Sequence, residues 1–370
     1  MERATARIDH DAVRANCARL KAELGEAELC AVVKADGYGH GADACANAAL
    51  AGGATRLAVA TAAEAEQIGR RFQHVPLLTM GALTVEEVDA AISAGSELAL
   101  WREEFRRLVA ERARAHGHRA RVHVKYDSGM GRLGNRDAGE VLELVRACAA
   151  DPDLEPAGIW THFATADEPD ADGGFFDEQL DRFEQVATAV KAEHPGVLVH
   201  AANSAAVLRD RRSHFEMARC GVAIYGLDPF QRDPAEQGLR PALALCSHVA
   251  DVKRFPAGAS AGYGRRWTAP EDTWVGVIPI GYGDGVRRAL TNNAEVLVRG
   301  RRHSLVGTVS MDNITIDLGP ETEVSPGDEA VLIGAQGEER ILAEEVAARL
   351  QTINYEVTCA ISPRVPRRPG

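Results

Sequence analysis

The sequence predicts an α/β chain: a (β/α)8 TIM-like barrel followed by a C-terminal, mostly-β domain. Three observations predict it. Between about residues 27 and 225, short apolar runs alternate with helical patterns through about eight units, and right-handed parallel crossovers repeated that often close into a barrel. Proline and polar residues then interrupt the pattern over 226–234, as in a linker. Beyond residue 240, strand-like runs are separated by Gly, Pro, Asn and Asp turns. A doubly wound open sheet shares the first periodicity and stands as the alternative. The expected domains are therefore 9–239 for the barrel and 240–370 for the β domain, with an opening strand in 1–8 joining the latter.

Taken in order, residues 4–8 alternate Ala4, Ala6 and Ile8 on one face, before a helix capped by Asp9 or Asp11. Barrel strands are expected at 29–33, 57–60, 75–80, 97–100, 121–124, 157–161, 197–201 and 217–224. They are brief and rich in Val, Ile, Leu and Ala, as strands covered on both faces should be. The helices between them fall at 62–70, 85–94, 103–115, 139–149 and 178–193. Val85, Val88, Ala91 and Ile92 illustrate the helical spacing of the apolar stripe. In the second domain, strands are expected at 244–252, 274–280, 296–298, 303–309, 314–316 and 329–333, with a helix at 343–350.

Composition narrows the function classes. Hydrophobic residues are 45% and charged residues 26% of the 370, the balance of a globular protein with a sizeable core. A net charge of −12 argues against nucleic acid as a partner. No run of about 18 apolar residues offers a membrane span, and the first residues lack the apolar core of a secretory signal. The seven scattered cysteines never form C-x-x-C, which fits reduced thiols in the cytoplasm and not a zinc site. The histidines have no metal-ligand spacing.

In a barrel the chemistry lies where strands pass into loops at the C-terminal face. The first strand runs into Lys34-Ala35-Asp36-Gly37-Tyr38-Gly39-His40-Gly41 and the fifth into Lys125-Tyr126-Asp127-Ser128-Gly129-Met130-Gly131-Arg132. The sixth leads to His162, the seventh to Asn203 and Ser204, and the eighth carries Arg219 and Gly221. The chain has only five lysines, Lys21, Lys34, Lys125, Lys191 and Lys253. Lys34 ends an all-apolar strand, so its amine rises from buried backbone, a setting that lowers a lysine pKa and suits Schiff-base formation. A snorkelling lysine at a strand end is the commoner outcome for such a segment. Gly37-x-Gly39-x-x-Ala42 also matches the dinucleotide fingerprint, but no acidic residue ends the second strand.

The run Ala31-Val32-Val33-Lys34-Ala35-Asp36-Gly37-Tyr38-Gly39-His40-Gly41 resembles the cofactor-lysine signature of the alanine racemases, pyridoxal phosphate enzymes with a barrel and a C-terminal β domain. The likeness continues through Lys125 to Arg132, Thr161 to Asp167, Gly262-Tyr263-Gly264, Gly281 to Gly285, Met311-Asp312 and Asn354-Tyr355-Glu356. Gly283 stands where alanine is more usual, and Cys220 where proline is frequent.

The resemblance implies a site residue by residue. Lys34 would hold pyridoxal 5'-phosphate covalently, with Asn203 and His162 among the residues around it. Tyr38, Ser204, Tyr355 and the amides of Gly221 and Val222 would cradle its phosphate. Arg219 would face the pyridine nitrogen; an arginine keeps its proton at accessible pH, leaving the ring a weaker electron sink than a protonated one. Arg132 would contact the cofactor's phenolic oxygen and the substrate carboxylate, and the family's counterpart of Lys125 is often carbamylated to position that arginine. Lys34 and Tyr263 would be the two bases, with His162 supporting the tyrosine. Tyr263, Met311 and Asp312 would come from the partner of a homodimer, with Tyr282 and Arg288 at the entrance. The implied activity is interconversion of L- and D-alanine. The alternatives are a racemase or decarboxylase for another amino acid and a non-catalytic pyridoxal phosphate carrier; an acid in place of Arg219 would mark a decarboxylase.

Overall fold

The computed structural model describes residues 2–168, 171 and 173–370. The chain divides into two compact units. One comprises 13–38 with 42–224; the other comprises the described residues of 1–12 with 39–41 and 225–370. No helix among the described residues is long and apolar enough to cross a membrane.

β1 (Ala4–Ile8) belongs to the second unit. The first unit is a closed parallel barrel of β2 (Glu28–Val32), β3 (Arg56–Val59), β4 (Leu77–Thr79), β5 (Glu97–Leu100), β6 (Ala120–Lys125), β7 (Leu154–Trp160), β8 (Leu198–His200) and β9 (Met217–Cys220). Closure is made by β2, which pairs with β3 on one side and β9 on the other, so that Cys30 lies between Arg56 and Arg219. The helices outside the barrel start where their caps dictate. Thr61 and Thr84 form capping boxes with Glu64 and Glu87 ahead of Ala62–Arg71 and Val85–Ser93, and Asp137 caps Ala138–Ala150. Each such cap contributes about 1 kcal/mol. Their inner stripes, such as Val88 with Ala91, and Phe176, Leu180 and Phe183 of Phe175–Glu193, are buried.

Alternation along the strands decides what fills the lumen. Arg121, His123 and Lys125 share one face of β6; Gly158 and Trp160 share one face of β7; His200 and Arg219 follow on β8 and β9. Barrel interiors are usually packed with branched apolar side chains. Here a buried polar column replaces part of that packing.

In the second unit, β1 pairs antiparallel with Leu243–His248 (Ala6 opposite Leu245) and parallel with Arg367–Pro369. The sheet continues through Glu329–Gln336 and Glu295–Val298 to Arg301–Ser304. A separate three-stranded sheet holds Asp251–Phe255, Thr273–Ile278 and Ile314–Gly319.

Three sequence expectations are corrected. The run 244–252 is two strands in different sheets, because Val249 N–H bonds Asp328 O and Ala250 N–H bonds Val277 O, so the chain changes partners there. The run 217–224 ends as a strand at Cys220 and turns into the 3-10 segment Val222–Tyr225. The run 303–309 leaves its strand at Ser304 ahead of Gly307, whose φ is +77°.

Candidate active site

Val33 still donates its N–H to Ala58 O in the barrel, and the next residue is Lys34. The chain then makes a left-handed turn: φ is +52° at Ala35, +50° at Asp36, +62° at Gly37 and +54° at Tyr38. For the three residues with side chains this handedness costs roughly 1–2 kcal/mol each. Specific bonds hold it. Ala35 N–H donates to Glu64 Oε1 at 2.7 Å, Gly37 N–H to Val33 O at 2.9 Å, and Asp36 Oδ1 accepts Ala42 N–H at 2.9 Å. The other Glu64 oxygen takes the N–H groups of Ala60 and Thr61. One carboxylate thus ties the lysine turn to the start of the neighbouring helix.

The turn brings the Tyr38 hydroxyl against Gly221, so close that a Cβ on Gly221 would lie 2.3 Å from it. Ser204 Oγ accepts Gly221 N–H at 3.1 Å and Ala223 N–H at 3.3 Å. Ser204 itself opens the helix Ser204–Arg209, N-capped by Asn203, whose Oδ1 accepts Ala206 N–H at 2.9 Å. Val222 begins the adjoining 3-10 segment. Two hydroxyls and several backbone N–H groups therefore converge after β8 and β9, the arrangement that receives a phosphate in barrels of this type. With the amine of Lys34 at the end of β2, the residues fit a phosphorylated aldehyde.

The remaining barrel-mouth residues are cationic or aromatic. Lys125 Nζ lies 4.3 Å and Arg219 Cζ 4.6 Å from the ring centroid of the buried Trp160. Burial, reinforced by the charges of Arg219 and Arg132, pushes Lys125 down to about 7. Burial also lowers Arg219, to about 10, which leaves it cationic at neutral pH. His162 falls well below the usual imidazole range, through burial first and then the charges of Arg219, Lys125, Arg132 and Lys34. It is a neutral ring. Asp127 accepts the N–H groups of Gly129 and Gly131 and so shapes the loop that ends in Arg132.

The other predicted residues belong to the second unit. Tyr263 is 74% exposed, and Thr308 Oγ1 donates to its carbonyl at 2.5 Å. Met311 and Tyr282 are exposed nearby: Tyr282 N–H bonds Ser310 O, and Gly283 N–H bonds Met311 O. Asp312 receives Arg364 Nη2 at 2.6 Å. A Cβ on Gly283 would meet Arg364 Nη1 at 2.3 Å, so glycine leaves that guanidinium its place. Arg288 opens the 3-10 turn Arg288–Leu290, and Tyr355 lies in the helix Asn354–Cys359.

Sequence reasoning missed Trp160, Glu64 and the buried column of Glu97, His123 and His200. The signal for the column was present: polar residues at alternate positions of otherwise apolar strands.

The family model described as alanine racemase, N-terminal domain, matches residues 8–229, and that described as alanine racemase, C-terminal domain, matches 242–369. The alanine racemase of Frankia casuarinae is 43% identical over 99% of this chain and 96% of its own. Alanine racemase 1 of Bacillus subtilis is 39% identical over 98% and 92%. Among solved structures, the alanine racemase of Streptomyces lavendulae superposes with a TM-score of 0.93 at 36% identity, covering 99% of this chain and 97% of that one. That of E. faecalis gives 0.93 at 37%, covering 100% and 98%.

Proposed function

The chain belongs to the alanine racemase family, and from that premise we propose that it interconverts L- and D-alanine with pyridoxal 5'-phosphate held by Lys34. The observation that carries this reading is the barrel mouth itself. A strand-end lysine stands in the same mouth as Tyr38, Ser204, Gly221 and Val222, whose hydroxyls and amides would cradle a phosphate. Tyr355 is assigned to that cradle by the resemblance alone.

Bound pyridoxal phosphate supplies an electron sink that acidifies the α-hydrogen of an attached amino acid. The chain's residues do the rest. Inversion needs one group to take a proton from one face of Cα and another to deliver one to the opposite face. Lys34 Nζ serves one face. Tyr263 Oη, contributed by a second copy, serves the other, and neutral His162 supports it as an acceptor. The exposed cluster of Tyr263, Tyr282 and Met311 supports a homodimer, since large apolar side chains seldom gather on a free surface. Arg219 would face the ring nitrogen and, keeping its proton at neutral pH, would keep the sink weak; a decarboxylase would place an acid there. Arg132 binds the substrate carboxylate. Lys125, lowered to about 7, carries a substantial unprotonated fraction at neutral pH that is a nucleophile for carbon dioxide, and as a carbamate it would pair with Arg132. Met311 and Asp312 line the substrate end, and Tyr282 and Arg288 the entrance. Of the seven cysteines six are buried and none is in a disulfide, which supports reduced thiols and a cytoplasmic setting.

The test is α-proton exchange in D₂O with pyridoxal phosphate and L-alanine, followed by chiral analysis. Loss of the α-proton with appearance of D-alanine is expected. Formation of the amine, or a yellow protein that leaves the α-proton in place, would refute the assignment. Lys34→Ala should abolish exchange from both enantiomers.

A further inference from the structure

The barrel lumen holds a chain of hydrogen bonds that the mechanism above leaves unused. Glu97, the first residue of β5, accepts Arg121 Nε–H at 2.8 Å, Arg56 Nη1–H at 3.1 Å, and His123 Nε2 at 2.7 Å. His123 Nδ1 lies 2.8 Å from His200 Nε2, and His200 Nδ1 lies 2.7 Å from Arg219 Nη1. Glu97, His123, His200 and Arg219 are all buried. Arg219 Nη2 also donates to Thr161 O and Ala201 O. The chain thus runs from the opening residue of β5, Glu97, to the arginine assigned to the cofactor ring.

Its two ends dictate its direction. Burial pushes the Glu97 carboxyl up, but the His123 and Arg121 hydrogen bonds and the charge of Arg56 oppose that and hold it below the usual carboxylate range. An ionised carboxylate only accepts, and a guanidinium only donates. Each imidazole between them must therefore be neutral with its hydrogen on Nε2. Burial does keep both rings below the ordinary imidazole range. Gly158 is part of the construction, since a Cβ there would lie 2.2 Å from His123 Nδ1.

We propose that Glu97 is a positioning residue for the reaction: through His123 and His200 it fixes the lone pair that receives Arg219 and so fixes the guanidinium. The inference rests on the assignment of Arg219 to the ring nitrogen. If the acceptor at position 97 could also donate, the chain could reverse. His123 would then carry its hydrogen on Nδ1, and so would His200, setting N–H against N–H at Arg219. Glutamine is such a group.

The experiment pairs Glu97→Gln and Glu97→Asp with Gly158→Ala, which leaves Glu97 and its arginines intact while displacing the His123 ring. Histidine ¹⁵N NMR of the cofactor-free and pyridoxal phosphate-loaded proteins reads the tautomers, and the visible band of the loaded protein reads the ring environment. In the unmodified protein both rings should be Nε2–H in both forms. In Glu97→Gln and Gly158→Ala a second His200 state should appear, the visible band should shift, and kcat should fall about 10–100-fold, the range for losing a charged hydrogen-bond partner. Glu97→Asp, an obligate acceptor, should restore the single tautomer. A His200 ring that stays wholly Nε2–H in both Glu97→Gln and Gly158→Ala overturns the proposal. So does a tautomer change that moves neither the band nor kcat. An unchanged band and rate in Arg219→Gln would instead locate the failure in the assignment of Arg219, which the cofactor-free spectra do not depend on.

Discussion

Replacing Lys125 with methionine keeps the length and apolar stem of the side chain and removes its charge. The wild-type amine is buried against Trp160 and titrates near 7 in the folded chain instead of near 10.5. At about 1.36 kcal/mol per pH unit, that difference is on the order of 5 kcal/mol. The sign follows from proton counting. Between pH 7 and 10.5 the unfolded chain holds a proton on this amine and the folded chain does not, so folding gains stability as pH rises through that window. The cost of the buried charge is absent above pH 10.5 and complete below pH 7. Cofactor-free protein in carbon dioxide-free buffer, unfolded by urea at half-unit steps from pH 6 to 10, should therefore gain stability relative to Lys125→Met. The methionine variant should be the more stable by several kcal/mol at pH 6, and the two should converge toward pH 10. Added bicarbonate should raise the wild type alone. A difference that is constant from pH 6 to 10 would refute the reasoning, because Lys125 would then titrate like an exposed lysine.

Gly221→Ala places a methyl group 2.3 Å from the Tyr38 hydroxyl; by displacing a charge-assisted donor to the phosphate it should weaken pyridoxal phosphate binding about 10–100-fold, measured by absorbance titration of cofactor-free protein. Glu64→Gln loses the charge that receives Ala35, Ala60 and Thr61 N–H and should cost about 1.5–3 kcal/mol in urea unfolding. Tyr263→Phe should suppress exchange from one alanine enantiomer far more than from the other, seen as asymmetric deuterium incorporation; equal suppression would remove its role as a one-face base.

Strand existence was legible because strands covered on both faces are apolar runs that end in polar loops, and each of β2 to β9 overlaps an expected run, with ends that differ by at most four residues. Which residues change sheets was not. Val249 and Ala250 bond to different strands through their backbone alone, and no side-chain pattern marks that. The helix Asn354–Cys359 has six residues, too few to show a period. Lys34 could be singled out because an amine at an apolar strand end is chemically conspicuous. The handedness of the turn after it could not, since Ala35, Asp36 and Tyr38 rarely adopt positive φ, and the bonds that hold Ala35 to Glu64 and Asp36 to Ala42 join it to residues outside the turn. His123 was legible only as a strand residue without metal-ligand spacing, because its partners Glu97 and His200 lie on other strands far away in sequence.

That turn has a consequence for what the signature tolerates. A backbone held in mirror-image dihedrals inverts the usual ranking of substitutions. Proline is barred at 35, 36 and 38 because its ring fixes φ near −65°, and valine or isoleucine is penalised on steric grounds. Glycine, ordinarily destabilising, relieves the conformation instead. A D-alanine installed at position 35 by protein semisynthesis matches its φ of +52° and should stabilise the chain. Tolerance to substitution next to Lys34 should therefore follow backbone chirality as much as what the side chains touch.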